Sequence, residues 1–172
     1  MSSKSYQTEG IIIRRFNQGE TDKAITIFTK DKGKIKALAK GARKITSKRG
    51  CHLELFNRVK VIIYQGKRFD TITGAIALDC FPDIRKSHEI TQLAYQVCEI
   101  TDSLLLEGQK HPEIYTKLVS VLNSCDKEKV REFSINLLQS LGFLPTKEYP
   151  KSFNINNFIE GVLERQLKTT VS

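Results

Sequence analysis

The hydrophobic pattern of this 172-residue chain changes its period once, at Phe81-Pro82-Asp83. Before this point apolar and polar residues alternate, which is typical of β-strands with one buried face. After it, apolar residues recur every three or four positions, as in amphipathic helices. We therefore predict an α+β protein with two domains, at residues 1–81 and 82–172.

Five segments of the first half have the character of strands. They are Gly10–Arg15, Ala24–Thr29, Lys34–Lys40, Arg58–Tyr64 and Phe69–Leu78. The sequence Asp31-Lys32-Gly33 predicts a tight hairpin turn in which Gly33 takes a positive φ. Five strands within about 70 residues, joined mainly by short turns, favour a five-stranded antiparallel OB-type barrel. An SH3-like barrel has nearly the same number of strands and is the alternative.

Four helices are predicted in the second half. The first follows Ser87 as its N-cap, and the second has Pro112 at its first position. The third is ended by Gly142 and Pro145, and the fourth carries an apolar stripe over residues 158–167. Each half, at about 80 residues, buries only ~60–65% of its unfolded surface, so we expect the halves to lean on each other or on a partner.

Positive charge is concentrated in the first half of the chain. Residues 1–81 hold 17 Lys and Arg against 7 Asp and Glu, whereas residues 82–172 hold 11 against 12. A surface this basic attracts polyanions, and a nucleic acid backbone uses many dispersed cations at once. The charge distribution therefore predicts that the barrel binds nucleic acid.

The candidate DNA-binding residues form two groups. The first comprises the cations of the third predicted strand and of the loop after it: Lys34, Lys36, Lys40, Arg43, Lys44, Lys48 and Arg49. The second comprises Arg14, Arg15, Arg58, Lys60, Lys67 and Arg68, with Tyr64 as a stacking platform. Strand residues two apart lie about 6–7 Å from each other, which is similar to the spacing of phosphates along a single strand. The alternative for the first group is a solvated, lysine-rich edge strand that prevents aggregation.

Aromatic side chains add a possible second component of binding. Those available in the first half are Phe16, Phe28, Phe56, Tyr64 and Phe69, of which we expect Tyr64 and Phe69 to be the most exposed. Phosphate contacts should nevertheless dominate, because such rings are more often part of the core than stacking platforms. Binding should then depend strongly on salt and hardly at all on base sequence.

Several classes of function lack support in the sequence. The four cysteines and three histidines have no metal-ligand spacing, and no phosphate loop, nucleophile elbow or His-Glu-x-x-His motif occurs. Glu20 and Asp22 form an acidic pair near a turn, which we expect to be solvated or to fix the basic loop. We predict a non-enzymatic protein with no cofactor and no metal. Without a signal-like or ~18-residue apolar stretch, a cytoplasmic protein that does not associate with membranes is expected.

A further set of motifs occurs in a fixed order along the first half of the chain. It comprises Thr8–Arg15, the turn Gly19-Glu20-Thr21-Asp22, and Phe28–Lys44. It continues through Ser47–Gly50, Leu53–Phe56 and Tyr64–Lys67. Together these motifs resemble the N-terminal domain of the bacterial RecO family of recombination mediators. In the second half, Leu137–Pro145 looks like the family's Leu-Leu-x-x-x-Gly-aromatic-x-Pro segment.

The resemblance implies an OB-fold followed by a helical domain, and a role in binding and annealing DNA. It implies contacts with single- and double-stranded DNA and cooperation with a RecR-type protein to load a RecA-type recombinase. It also implies that the helical domain receives the acidic, hydrophobic tail of single-strand-binding protein. Many family members carry a four-cysteine zinc module after the last motif, whereas here residues 146–152 lead directly to the last predicted helix. The expectation is a compact form that lacks this module.

Two other functions would use the same residues. An RNA-binding barrel of translation or ribosome assembly has the same need for cations, and it would prefer a strand with 2′-hydroxyl groups. A scaffold whose helices carry the function would keep its affinity for a partner after removal of residues 1–81. Both alternatives stay open on the sequence.

Overall fold

The structure, a computed structural model, describes residues 4–169 as a β-barrel followed by helices. The strands are β1 (Ser5–Gln18), β2 (Asp22–Thr29), β3 (Gly33–Ala39), β4 (Arg58–Tyr64) and β5 (Asp70–Asp79). A short 3₁₀ helix, Pro82–Arg85, leads to α1 (His88–Leu104), α2 (Pro112–Asn123), α3 (Lys127–Ser140) and α4 (Ile155–Leu163). The predicted order of an OB-type barrel and then a helical half is confirmed.

The barrel closes in the order β1-β2-β3-β5-β4 around a core of branched aliphatic side chains. Neighbouring strands are antiparallel except β3 and β5, which run parallel and pair only at Ala37 with Asp70 and at Leu38 with Thr71. The predicted hairpin between β2 and β3 is present, with Gly33 at a φ of 72°. A Cβ on this glycine would lie 2.1 Å from the carbonyl oxygen of Gln109, so larger residues are excluded there.

A β-bulge in β1 decides which of its side chains face outward. The register with β2 shifts between Ile12 and Arg14. The side chain of Ile13 packs outside the barrel. The next residue, Arg14, would therefore be expected to face inward, but it pairs with Thr26, whose side chain faces outward. The bulge thus reverses the alternation and turns Arg14 and Phe16 to the outer face.

A second hydrophobic core, outside the barrel, joins the two halves, as the small size of each half led us to expect. Ile11, Ile13 and Phe28 project from the outside of the barrel into a cluster formed by all four helices. The ring of Phe28 meets that of Tyr115 edge-on, with the ring centres 5.9 Å apart. The helices therefore cover one end of the outer β1–β2–β3 face and leave the other end open.

The helix ends follow their predicted signals except at the last helix. The Ser87 hydroxyl accepts a hydrogen bond from the Ile90 amide at 3.2 Å, and Gly142 takes a φ of 80° after α3. The prediction that the last helix continues to Leu167 is wrong, because Glu164 adopts a left-handed conformation and ends α4. Leu167 returns to the core as part of an irregular segment. None of the helices within residues 4–169 has the length and apolarity needed to cross a membrane.

Candidate nucleic-acid interface

The outer face of β1, β2 and β3 is built from cross-strand rows of side chains. The register gives the rows Phe16-Ala24-Leu38, Arg14-Thr26-Lys36 and Phe28-Lys34. The helical half covers the last row, in which both side chains are buried. The first row lies open at the end of the face remote from the helices. The second row borders the helical half: Thr26 is buried, and Arg14 reaches the Asp102 carboxylate of α1.

An apolar groove of about 160 Å³ lies on the open part of this face. Ala24 and Leu38 line it together with Phe16, Phe69 and Lys36. Phe16 and Phe69 are 52% and 62% exposed, although both are large aromatic side chains. Exposed rings beside cations are the usual platform on which single-stranded bases stack.

The loop between β3 and β4 carries a further set of exposed cations. Lys40, Lys44 and Lys48 are exposed and form no ion pair or hydrogen bond through their ammonium groups with any residue in the described range. The Arg43 guanidinium donates a hydrogen bond to the carbonyl oxygen of Gly19 at 2.8 Å. The Arg43 side chain is nevertheless exposed. The loop therefore presents lysine ammonium groups that have no direct ion-pair partner among residues 4–169.

Asp22 anchors the first end of this loop. Its carboxylate accepts hydrogen bonds from the Gly41 amide at 2.8 Å and from the Thr21 hydroxyl at 3.0 Å. These bonds, and then the nearby Lys40 and Lys44, hold the pKa of Asp22 below its ordinary value. Of the two roles expected for the acidic pair, fixing the basic loop is the one that Asp22 has.

Arg49 and His52 anchor the loop to β5. The backbone of β5 has few hydrogen-bond partners in β3, because the two strands pair at only two positions. Arg49 donates to the carbonyl oxygens of Ile72 at 2.6 Å and Lys40 at 3.2 Å. The Nδ1 atom of His52 accepts the Ala77 amide at 3.2 Å. Arg49, one of the candidate DNA-binding residues, thus has its guanidinium occupied by backbone carbonyl oxygens of the barrel.

The prediction that Lys34 lies on an exposed cationic face is wrong. Its side chain is buried beneath α1, and its ammonium donates to the backbone oxygen of Asp102 at 2.5 Å and to the carboxylate at 3.2 Å. Arg14 reaches the same carboxylate at 3.3 Å but stays 60% exposed. Lys36 stays on the open face, where it pairs with Glu107.

The remaining predicted cations are distributed over different parts of the barrel. Arg15 pairs with Glu54 at 2.7 Å, next to the basic loop. Lys67 and Arg68 are exposed in the β4–β5 turn, which also carries Phe69. These three cations lie on elements that flank the groove.

The structure does not bring Arg58, Lys60 and Tyr64 to the groove. They belong to β4, which pairs with β1 and β5 on the side of the barrel opposite β2 and β3. Tyr64 is 41% exposed but does not line the groove with Phe16 and Phe69. Among the aromatic residues considered from the sequence, Phe28 and Phe56 are buried in the core.

Arg58 instead belongs to a polar contact between the two halves. It donates to the Glu9 carboxylate at 2.8 Å, and the Tyr115 hydroxyl donates to the same oxygen at 2.8 Å. Burial opposes ionisation of Glu9, but the hydrogen bonds from Arg58 and Tyr115 outweigh it, so the pKa of Glu9 is lowered. Burial and the bond to Glu9 raise the pKa of Tyr115.

Sequence reasoning missed the groove formed by Phe16, Leu38 and Phe69. If side chains alternated regularly along β1 after Ile13, Arg15 would face outward, and Arg14 and Phe16 would face the barrel interior. No residue pattern marks the bulge that reverses this order. Phe69 was expected to be exposed, but only the parallel β3–β5 pairing shows that it stands beside Lys36 and Leu38.

The cysteines of this chain do not fit a four-cysteine zinc site. Cys51 and Cys80 are exposed, Cys98 is buried and Cys125 is half-buried. No group of three or more His, Cys, Asp or Glu side chains that could hold a metal occurs within residues 4–169. Burial raises the pKa of both inner thiols, to about 11 for Cys125, so these thiols are protonated at neutral pH.

Fold and surface together define a two-part protein, in which an OB-type barrel with a basic loop and an aromatic groove precedes a helical half. Residues 1–81 match the family model described as Recombination protein O N terminal, and residues 89–148 match Recombination protein O C terminal. The chain belongs to the RecO family of DNA repair proteins.

Individual relatives agree with the family models. A "DNA repair protein RecO" from Dehalococcoides mccartyi is 36% identical over 145 residues, which is 81% of this chain and 57% of the relative. Proteins of the same name from Desulfitobacterium hafniense and Desulforudis audaxviator are 32% and 34% identical, over 53% and 59% of their lengths. These matches cover 81% and 83% of this chain. The chain thus spans somewhat more than half the length of these relatives.

Proposed function

We propose that this protein is a recombination mediator that binds and anneals DNA without an enzymatic step. The observation that carries the proposal is a firmly anchored loop with unpaired lysines beside an open, partly aromatic strand face. Asp22 and Arg49 hold the loop, and Lys40, Lys44 and Lys48 project from it. Membership of a family of DNA repair proteins supports the same reading.

The proposed mechanism is neutralisation of phosphate charge. Two complementary strands repel each other through their backbones, and cations that bind both strands reduce this repulsion. The basic loop, together with Lys67 and Arg68 in the β4–β5 turn, provides exposed cations on two separate elements of the barrel. The same contacts serve single- and double-stranded DNA, because they address the backbone and not the base edges.

We assign DNA binding to residues 1–81 and partner binding to residues 82–172. The helical half has nearly balanced charge and so lacks the electrostatic attraction to DNA that the barrel has. Its proposed partners are a RecR-type protein and, with it, the tail of single-strand-binding protein. Through these contacts the protein would help to load a recombinase.

The test of DNA binding compares two triple variants of equal charge. We expect Lys40→Ala/Lys44→Ala/Lys48→Ala to weaken binding to single-stranded DNA and to reduce the slope of log K against log salt by about 2, given ~0.7 per phosphate contact. The control, Lys110→Ala/Lys117→Ala/Lys147→Ala, removes the same charge from the helical half and should keep most of the slope. Fluorescence anisotropy over a salt series measures both, with strand annealing followed in the same samples. Equal slopes for the two variants would refute the assignment.

Competition between DNA and RNA of the same base sequence tests the alternative function. A mediator that reads phosphates should bind both strands with similar affinity and should accelerate annealing of DNA. A clear preference for RNA would instead indicate recognition of 2′-hydroxyl groups, and with it an RNA-binding protein.

A further inference from the structure

The outer face of β4 and β5 carries large aliphatic side chains that the protein leaves uncovered. Ile62 on β4 is 43% exposed, and Ile76 and Leu78 on β5 are 54% and 46% exposed. The alternate residues of β4, such as Val61, fill the barrel interior, so strand alternation turns Ile62 to the outside. The three exposed residues Ile62, Ile76 and Leu78 form the β4–β5 patch.

The strand register makes this patch continuous and flat. Ile62 pairs with Gly74, and the next outward-facing row pairs Lys60 with Ile76. A Cβ on Gly74 would lie 3.1 Å from the Cδ1 atom of Ile62, so the isoleucine side chain lies across the glycine. Leu78 extends the patch two residues beyond Ile76. Contiguous apolar surface of this kind marks an interaction site, whereas single exposed apolar residues do not.

The opposite side of the barrel shows how such a face is covered. There Ile11, Ile13 and Phe28 project outward from β1 and β2 and pack beneath the helices of the second half. Among residues 4–169, that cluster includes no side chain of β4 or β5. The β4–β5 patch is thus a second outward apolar face of the same barrel, and it lacks the helical cover that the first one has.

A helix, and not a strand, is the element that this face can receive. β4 is hydrogen-bonded to β1 and to β5, and the other edge of β5 is occupied by β3 and by Arg49 and His52 of the basic loop. An added strand therefore finds no free edge. The patch extends over about 13 Å along the strands, which is the length of roughly nine helical residues.

Positive charge borders the patch. The Lys60 ammonium, in the row of Ile76, has no ion-pair or hydrogen-bond partner among residues 4–169. Lys67 and Arg68 are exposed in the turn that joins the two strands. A partner that covers the patch would place its own polar residues beside these three cations.

Two acidic side chains of β1 and β5 near the patch are engaged within the protein. Glu9 accepts a hydrogen bond from Arg58 at 2.8 Å, and Asp79 accepts one from the Phe81 amide at 2.8 Å. The charge left unpaired beside the patch is therefore positive, and the complementary partner is acidic.

We propose that the β4–β5 patch docks an acidic amphipathic helix of another protein. The apolar stripe of that helix would lie on Ile62, Ile76 and Leu78, and its carboxylates would meet Lys60 and the cations of the β4–β5 turn. This site adds to the partner binding assigned to the helical half and goes beyond the proposed function. It also gives a role to the cation of β4 that the structure keeps away from the groove.

Charge and shape favour this partner over two others. A second copy of the chain would bring a second Lys60 and a second basic turn to the same surface, and like charges in contact oppose association. A nucleic acid would find three aliphatic side chains on which bases cannot stack, with Tyr64 as the aromatic ring beside them. An acidic helix supplies both an apolar stripe and negative charge.

The experiment titrates the full chain with a fluorescent helical peptide. The probe has about 16 residues of Glu, Ala and Leu, with leucines at i, i+3, i+4 and i+7, and the control peptide has the same composition in scrambled order. Ile62→Ser/Ile76→Ser removes the aliphatic surface. Ile45→Ser/Leu106→Ser changes two exposed aliphatic residues elsewhere and is the matched control. Fluorescence anisotropy gives each Kd.

We expect the amphipathic peptide to bind wild-type protein at least about tenfold more tightly than the scrambled one, because only the first can bury its leucines together. Ile62→Ser/Ile76→Ser should weaken binding by about tenfold or more, and Ile45→Ser/Leu106→Ser should behave as wild type. Equal affinity for both peptides, or equal effects of the two double variants, would overturn the proposal.

Charge reversal provides an independent readout that leaves the aliphatic side chains in place. Lys60→Glu should weaken binding of the acidic peptide severalfold, whereas Lys110→Glu in the helical half changes the net charge equally and should have little effect. Equal losses in both would show attraction by net charge alone and would contradict a site at Lys60.

Two further measurements on the same proteins identify other occupants of the patch. A dimer in sedimentation that Ile62→Ser/Ile76→Ser abolishes would assign the face to a second copy and overturn the proposal. Loss of oligo-dT binding in this variant would assign the face to nucleic acid, with the same consequence. Unchanged oligo-dT binding together with weakened peptide binding is the expected result, and it separates this site from the proposed function.

Discussion

At the scale of single residues, two lysines of the same strand have opposite roles. Lys34 and Lys36 are two positions apart on β3 and project from the same outer face. The helical half covers Lys34, whose ammonium binds Asp102, and leaves Lys36 exposed. Identical residue types with identical periodicity thus serve stability in one case and an open surface in the other.

Replacing these two lysines should separate the roles. We expect Lys34→Met to lower the free energy of unfolding by about 2–3 kcal/mol, because it leaves the mostly buried Asp102 carboxylate with only Arg14 as a charged partner. Lys36→Met should change stability by no more than about 0.5 kcal/mol, since its ion pair with Glu107 is exposed. Urea unfolding of both variants gives the comparison. Similar stabilities would show that the buried pair contributes little.

At the scale of elements, the basic loop completes the barrel. The parallel pairing between β3 and β5 is confined to two residue pairs, which leaves backbone groups of β5 without strand partners. Arg49 and His52 of the loop bind two of these groups, at Ile72 and Ala77. The basic loop is therefore held in place by its hydrogen bonds to β5.

The variant Arg49→Lys tests whether this arginine is structural. Lysine keeps the charge but cannot present two donors in a fixed plane, so one of the two carbonyl contacts is lost. We expect a loss of about 1–2 kcal/mol in stability and faster hydrogen exchange within β5, with the salt slope of DNA binding unchanged. A variant as stable as wild type but weaker in DNA binding would show that Arg49 contacts phosphate instead.

At the scale of the whole molecule, the barrel and the helices form one packed body. The cluster around Phe28 includes side chains from both halves, and Glu9 connects them through Arg58 and Tyr115. A fragment of residues 82–172 would expose the helical surface that Ile11, Ile13 and Phe28 now cover. For this reason, full-length variants test the division of labour between the halves better than truncation does.

The Glu9 contact makes the joint between the halves sensitive to acid. Because the pKa of Glu9 is lowered in the folded protein, its ionised form contributes stability above its ordinary value of 4.5, and this contribution is lost as pH falls toward the folded pKa. We expect Glu9→Gln to destabilise the protein near neutral pH and to make little difference well below pH 4.5. Denaturant unfolding at the two pH values measures this. An equal effect of the substitution at both would rule out ionisation of Glu9 as the cause.

Local signals in the sequence were sufficient to predict the elements. The alternation of Val59, Val61 and Ile63 marks a strand wherever it packs, and Ser87 caps a helix through its own neighbouring backbone. Short-range sterics and hydrogen bonds decide these features, so they can be read from a few residues at a time. The concentration of charge in the first half is likewise a property of the sequence alone.

The composition of the binding surface depended on contacts between distant parts of the chain. Asp102 lies 68 residues from Lys34 and removes it from the exposed cations, while the bulge after Ile12 turns Phe16 to the outer face. Burial and strand pairing depend on which elements pack against each other in the folded protein, and a local sequence pattern does not specify this. The sequence therefore determined the barrel, the helices and the presence of a basic half, whereas the tertiary structure decided which cations are free and where the aromatic groove forms.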